Sequence, residues 1–303
     1  MKLQQQIDSY LVDALDGKTS MSEDIIERFG ERCKGTLKRQ FNNDKREFTL
    51  RMSAIGKPLC QQQLEKAGAE QKPLPPSLKM KFAYGDMVEA LIMAVMEAAG
   101  VNIESYQEEV HYKSGNTTIK GTLDVIIDGK VYDIKSASSH AFKKFAHPEG
   151  FSKIVEDDPF GYVAQGYLYA AAKGMPFGGW IAYNKETGDI AVCNAPDSNA
   201  QKTKALNKAE RNIDALVKDK PFKRQFKKVP EKFRNKITGN YTLSLNCRYC
   251  SFTKSCWGDE IEDIKKAGHV DGIDNVNVIT TFDPPFSFDK VSEEVRMVMG
   301  WYT

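Results

Sequence analysis

Residues 121–135, GTLDVIIDGKVYDIK, decide how this chain is read. Two apolar, β-branched runs flank Asp128-Gly129, a dipeptide that favours a two-residue hairpin turn because both of its residues tolerate positive φ. Strand side chains alternate faces, so Asp133 and Lys135 point the same way, and the hairpin returns Asp124 beside them. Two carboxylates and one ammonium converging at the end of a sheet make an oxygen-ligand site for Mg²⁺ or Mn²⁺. A lysine there can lower the cost of deprotonating an attacking water and offset charge on a phosphate. That is the equipment of metal-assisted phosphodiester hydrolysis. The same spacing also suits a hairpin with a solvated Asp/Lys face.

Working outward, residues 106–113, 117–127 and 130–135 read as three strands. The prolines of KPLPPS, residues 72–77, cannot continue a helix. After them a helix is expected from Leu78 to Ala99, with Phe82, Val88, Leu91, Ile92, Val95 and Met96 as its apolar stripe and Gly100 as its stop. A second helix is expected from Pro159 to Ala172, then strands at 179–184 and 189–194. Helix, three strands, helix, strand is the order of an α/β sandwich. The first 50 residues read as helical and polar, anchored by Leu11, Leu15, Ile25, Ile26 and Phe29, and no internal repeat is visible. The first long helix carries Glu89 in GDMVE, and the second carries Gln165 and Tyr169 one turn apart in QGYLY.

A helix Glu, then G-x-x-D (Gly121, Asp124), D-x-K (Asp133, Lys135) and Q-x-x-x-Y (Gln165, Tyr169), in this order, resemble the RecB-type exonuclease branch of the PD-(D/E)XK nuclease superfamily. The resemblance covers about residues 50–258. It implies an α/β core, a mixed sheet flanked by helices, and metal ligation by Glu89, Asp124, Asp133 and the Ile134 carbonyl. It further implies Lys135 as the catalytic lysine, and Gln165 and Tyr169 as support for the site and the DNA beside it. Two positions depart from the pattern: Leu123 stands where the superfamily's name has proline, and Glu89 stands where many relatives use His.

Six cysteines are present, at positions 33, 60, 193, 247, 250 and 256, the last three as C-x₂-C-x₅-C. In a chain with no secretory signature, clustered cysteines point to a metal centre more than to disulfides. The same branch contains a subgroup, including the AddB nuclease domain and CRISPR adaptation exonucleases, with one cysteine before the core and three after it on a [4Fe–4S] cluster. The resemblance thus implies Cys60, Cys247, Cys250 and Cys256 as ligands, with Cys33 the rival to Cys60. A Zn²⁺ site is the alternative. Such a clip would close the long loop between Cys60 and Cys247, and loop-closure entropy favours clips on long loops. Cys33 and Cys193 otherwise read as buried thiols acting as small apolar residues.

The chain has 303 residues with 41% hydrophobic and 28% charged, a globular mix. Its longest apolar run, Leu91 to Val101, is broken by Glu97 and is too short to span a bilayer. The start, MKLQQQIDSYLVD, lacks a signal-peptide pattern, so a cytoplasmic location (host cytoplasm for a phage protein) is expected. Net charge is only +2, but residues 201–236 hold 13 Lys/Arg against 4 Asp/Glu, and residues 259–303 hold 4 against 10. The run 218–236 interleaves Phe222, Phe226 and Phe233 with cations, a pattern for phosphate contact plus base stacking or, equally, for phenylalanines packed inward. Lys223, Arg224, Lys227 and Lys228, with Arg51, Ser53 and Lys57 ahead of Cys60, are the candidate DNA contacts.

Three parts are expected: a helical extension over 1–50, a nuclease domain closed by the iron–sulfur clip over 51–258, and an acidic tail over 259–303. In that tail Val291, Val295, Val298, Met299 and Tyr302 recur at helical spacing, as a core-docking helix or a tail for a recombination or replication partner. No phosphate-loop motif for an ATP-driven motor is present. The expected activity is that of a DNA exonuclease in recombination or repair. An endonuclease of the same superfamily, a non-catalytic DNA-binding subunit and an RNA substrate stay open.

Overall fold

The computed structural model describes residues 2–42, 48–248, 250–261, 269–270 and 273–274, with the backbone alone for Phe233 and for the last two pairs. At its centre lie β1 (Ile103–Ser114), β2 (Thr117–Ile127), β3 (Lys130–Ala137), β4 (Phe177–Asn184) and β5 (Ile190–Asn194), in that spatial order. Neighbours run antiparallel except β3 and β4, which are parallel. A parallel pair cannot be joined by a tight turn, so the chain crosses over through α6 (Ser139–Phe145), α7 (Gly150–Glu156) and α8 (Tyr162–Lys173). The β2–β3 turn is the one its sequence asks for. Asp128 has φ 47° and Gly129 has φ 70°, and a type I′ turn needs both positive.

Alternation along the strands builds two apolar clusters. One gathers Leu123, Val131 and Trp180 with residues from the crossover helices, α3 (Met52–Ile55) and α9 (Asn199–Val217). The other gathers Val125, Tyr132, Ile134 and Ile181 with Val88, Ile92, Met93 and Met96 of α5 (Ser77–Ala98) and Ile7 of α1 (Leu3–Leu15). The result is a five-stranded mixed sheet flanked by helices, an α/β fold.

Several local expectations shift. In α1 the buried anchor is Ile7, flanked by Leu3 and Tyr10 at helical spacing, whereas Leu11 and Leu15 are exposed. Ile26 of α2 (Glu23–Phe41) is exposed as well, as are Phe82 and Leu91 of α5, because each helix buries a narrower stripe than its apolar content allows. α8 starts at Tyr162 rather than Pro159. Gly161 turns the chain at φ 79°, and the Asp158 carboxylate accepts from the Tyr162 and Val163 amides at 2.7 and 3.0 Å. That carboxylate serves as an N-cap from a position slightly upstream.

The chain divides into two compact units, Met1–Gln225 with Ser251–Cys256, and Phe226–Cys250 with Trp257–Thr303. The sheet and helices α1 to α9, among them α4 (Leu59–Lys66), belong to the first, so the N-terminal helices share a unit with the core. Described parts of the second include the hairpin β6 (Val229–Phe233) and β7 (Lys236–Thr242), then α10 (Leu245–Arg248). The apolar pattern at 291–302 lies outside the described residues. No helix among the described residues is long and apolar enough to cross a membrane.

Candidate active site

The antiparallel ladder between β2 and β3 ends at the pair Val125 and Tyr132. The next residues along it are Asp124 and Asp133, and there the strands part. The Ile134 amide donates instead to the Asp124 carboxylate, at 2.7 Å from Oδ2. A side chain thus stands in for the lost ladder bond. Asp133 is fully buried. Its Oδ2 lies 2.7 Å from the Lys135 ammonium, and its Oδ1 accepts from Gln165 Nε2 at 3.2 Å. Gln165 Nε2 also lies 3.4 Å from the Tyr169 hydroxyl, one helical turn on.

Gly121 explains part of this arrangement. A β-carbon there would stand 2.6 Å from the Tyr169 ring and 3.0 Å from the Met52 side chain. Only glycine lets α8 bring Tyr169 down onto β2, and with it Gln165 onto Asp133. Lys135 is held from the other side. Its ammonium lies 4.8 Å from the centre of the Tyr162 ring, a cation–π contact.

Glu89 faces the group from α5 and is held by Gln107 of β1, whose amide donates to its carboxylate. Burial pushes the Glu89 carboxyl up to about 7; the Gln107 hydrogen bond opposes this, and the charges of Asp86 and Asp133 add to it. Asp124 is raised well above the usual carboxylate range by burial and by the charges of Glu89 and Asp133, against Lys135 and the Ile134 amide. For Lys135 burial lowers the pKa, but Asp133 and Asp124 outweigh it and hold the ammonium protonated.

Three converging carboxylates with one ammonium among them cannot all keep their charge in so buried a place, and Glu89 and Asp124 are pushed toward the protonated form. Hard oxygen donors of this kind suit Mg²⁺ or Mn²⁺, so the residues fit the cation that the spacing implies. Among the described residues, however, no group of three or more His, Cys, Asp or Glu is placed so that it could hold a metal ion. Asp133 is turned onto Lys135 and Gln165, and Asp124 onto the backbone.

Sequence reasoning missed Gln107, Tyr106 and Tyr162. A signal for Gln107 existed: the Gly115-Asn116 turn sets the β1–β2 register, in which Ser114 faces Thr117, and counting back puts Gln107 across from Asp124.

The cysteines fall in both units and are described unit by unit. In the first, Cys60 is buried at the start of α4, its amide 3.2 Å from Gln225 Oε1. There too, the carbonyl of Cys256, on α11 (Thr253–Trp257), accepts from Arg224 Nη2 at 2.7 Å. In the second unit the Cys250 amide donates to the Cys247 carbonyl at 3.2 Å, and Ser244 Oγ donates to the Cys247 sulfur at 3.4 Å. Cysteine sulfur is a donor that iron–sulfur clusters and zinc favour. Cys193 is a buried free thiol that burial pushes up to about 12; Cys33 is a partly buried one.

Of the candidate DNA contacts, Lys223, Lys227 and Lys228 are exposed and Arg224 is half-buried. Phe222 is exposed and Phe226 half-buried, so Phe222 is not packed inward. Lys228 lies over the Tyr241 ring at 5.0 Å. Arg51 is exposed at the start of α3; Lys57 is half-buried, its carbonyl tied to Gln62 and Asn212.

No family model matches this chain, and no curated protein matches it. Among solved structures it is similar to the protein SSO0001, at 16% identity and a TM-score of 0.40, over 75% of this chain and 94% of that one. It is also similar to a candidate exonuclease from Eubacterium rectale, at 17% identity and a TM-score of 0.35, over 68% of this chain and 71% of that one. At overlaps this loose, neither likeness bears on what this chain does.

Proposed function

We propose that this chain is a Mg²⁺- or Mn²⁺-dependent deoxyribonuclease that hydrolyses phosphodiester bonds from a free DNA end. The observation that supports it is the convergence, where β2 and β3 part, of Asp124, Asp133 and Lys135, faced by Glu89 and backed by Gln165 and Tyr169. Glu89, Asp124 and Asp133, with the Ile134 carbonyl, would hold the cation. When bound it supplies Lewis-acid stabilisation of the charge gathering on the phosphoryl oxygens. Lys135 keeps a proton through the neutral range, so its ammonium offsets charge on the phosphate and stabilises an attacking water as that water loses its proton. Gln165 and Tyr169 orient Asp133, whose other oxygen is thereby left to Lys135. Held geometry of this kind contributes to catalysis by removing reorganisation from the reacting step.

Cys60, Cys247, Cys250 and Cys256 would carry a [4Fe–4S] cluster tying the chain before the core to the chain after it. Cys250→Ser is then expected to lose the brown chromophore and most of the soluble protein; a colourless, stable wild type binding zinc would remove the cluster.

The test of function compares linear and circular single-stranded DNA under Mg²⁺ or Mn²⁺, with Asp124→Ala alongside. Degradation of the linear substrate alone, by wild type alone, is the expected result. Loss of both substrates would make the chain an endonuclease. Loss of neither, or full activity in Asp124→Ala, would sink the nuclease reading.

A further inference from the structure

Gln107 has φ 50°, in the left-handed region that a residue with a β-carbon rarely enters. Among the described residues the other non-glycine positions with positive φ, Asp128, Asp219, Arg234 and Asn235, all fall in turns or connections; Gln107 lies inside a strand. Nothing about chain reversal requires it. The β1–β2 register is the same immediately on both sides, with Tyr106 across from Val125 and Glu108 across from Leu123, and shifts only further back, between Ile103 and Ser105. The position between them, Gln107 opposite Asp124, is where regular pairing lapses.

The unusual angle has one visible product: the amide of Gln107 reaches Glu89 on α5. Helix and sheet are thereby tied at the point where Glu89 faces Asp124. The residue before it is pinned as well, since the Arg32 guanidinium lies 4.8 Å from the Tyr106 ring centre and pairs with Glu97 of α5. Backbone strain of this sort persists only where surrounding structure over-determines it, and it gathers at functional sites.

We propose that Gln107 is a positioning residue for Glu89, its left-handed backbone aiming the side-chain amide so that the carboxylate stays turned toward Asp124 for a divalent cation. This rests on the nuclease reading above. Gln107 touches neither substrate nor cation; it acts through Glu89, as outer partners of metal ligands do.

Gln107→Asn separates this role from mere strand-filling. Asparagine accepts a left-handed φ more readily than glutamine but is one methylene shorter, so it keeps the backbone and loses the reach. The expected result is a melting temperature equal to or above wild type, Mn²⁺ affinity by calorimetry weaker by roughly 10-fold or more, and kcat reduced with KM for DNA unchanged. Wild-type Mn²⁺ affinity and kcat in Gln107→Asn would overturn the proposal. Should that variant melt early, Gln107→Gly, which accepts the angle without strain and lacks the amide, decides by the same readouts. Wild type and Glu89→Gln are run in parallel. No Mn²⁺ binding by wild type, or wild-type cleavage by Glu89→Gln, would overturn the nuclease reading itself, whereas intact Gln107 variants beside an inactive Glu89→Gln overturn this inference alone.

Discussion

The parting of β2 from β3 and the stretch from Lys223 to Lys228 both concentrate charge, and they are built in opposite ways. At the first, Asp133 is fully buried, Lys135 is 17% exposed, and the ionic groups are held by a partner from another element or by the backbone. At the second, Lys223, Lys227 and Lys228 stand in solvent, and Phe222 is exposed as well. Buried charges are costly unless paired, so a protein keeps them where geometry has to be held. Exposed cations cost little and act at a distance, which suits attraction of a polyanion but fixes no reacting atom. Under the proposed function, the first would be a place for chemistry and the second a place for affinity.

The hardest blow to that contrast is Asp133→Ala. It strands the Lys135 ammonium among the remaining groups, and breaking a buried pair from one side costs about 3–5 kcal/mol. Cleavage is expected to fall by at least about 100-fold, the scale of a lost catalytic group. Denaturant melts and a single-strand degradation assay would measure both. Replacing both partners with apolar residues, Asp133→Leu with Lys135→Met, should restore much of the stability and none of the activity. Recovered activity in the double variant would erase the distinction between the two regions.

A smaller effect sharpens the contrast through pH. The Glu89 carboxyl, raised from 4.5 to about 7 chiefly by burial, keeps its proton in the folded chain where the unfolded chain has released it. Folding stability without divalent cations must then fall as pH rises from about 4.5 to about 7. Glu89→Gln removes that slope, so its advantage over wild type in melting temperature should be absent near pH 4.5 and reach a few degrees by about pH 8. A constant difference across this range would mean that burial does not raise the Glu89 carboxyl. The least disruptive change is Lys223→Ala with Lys227→Ala and Lys228→Ala. These exposed positions should leave kcat and melting temperature alone and lower the salt dependence of single-strand binding by about 2 in log–log slope.

Much of the core was legible because its signals are local. The Asp128-Gly129 turn, the alternation through β2 and β3 and the proline-to-glycine limits of α5 depend on near neighbours in the chain, and each appears where the pattern puts it. Periodicity likewise put Asp124, Asp133 and Lys135 on strands and Glu89, Gln165 and Tyr169 on helices, where the structure has them; the grouping of all six into one site came from the resemblance and not from any local pattern. The faces of α1 and α2 were not legible. Leu11, Leu15 and Ile26 carry the same apolar weight as Ile7, and the choice between them depends on what each helix packs against.

The sequence by itself determined most of the elements and the hairpin that carries Asp124 back to Asp133. Those follow from φ preferences and periodicity, both properties of short stretches. Only the tertiary structure decided that the β2–β3 ladder stops at Asp124, that Lys135 is wedged between Asp133 and the Tyr162 ring, and that Gln107 bends out of strand geometry to reach Glu89. Those outcomes join residues from several elements, and their energies depend on burial and on charges brought together from distant parts of the chain. No local pattern contains such terms.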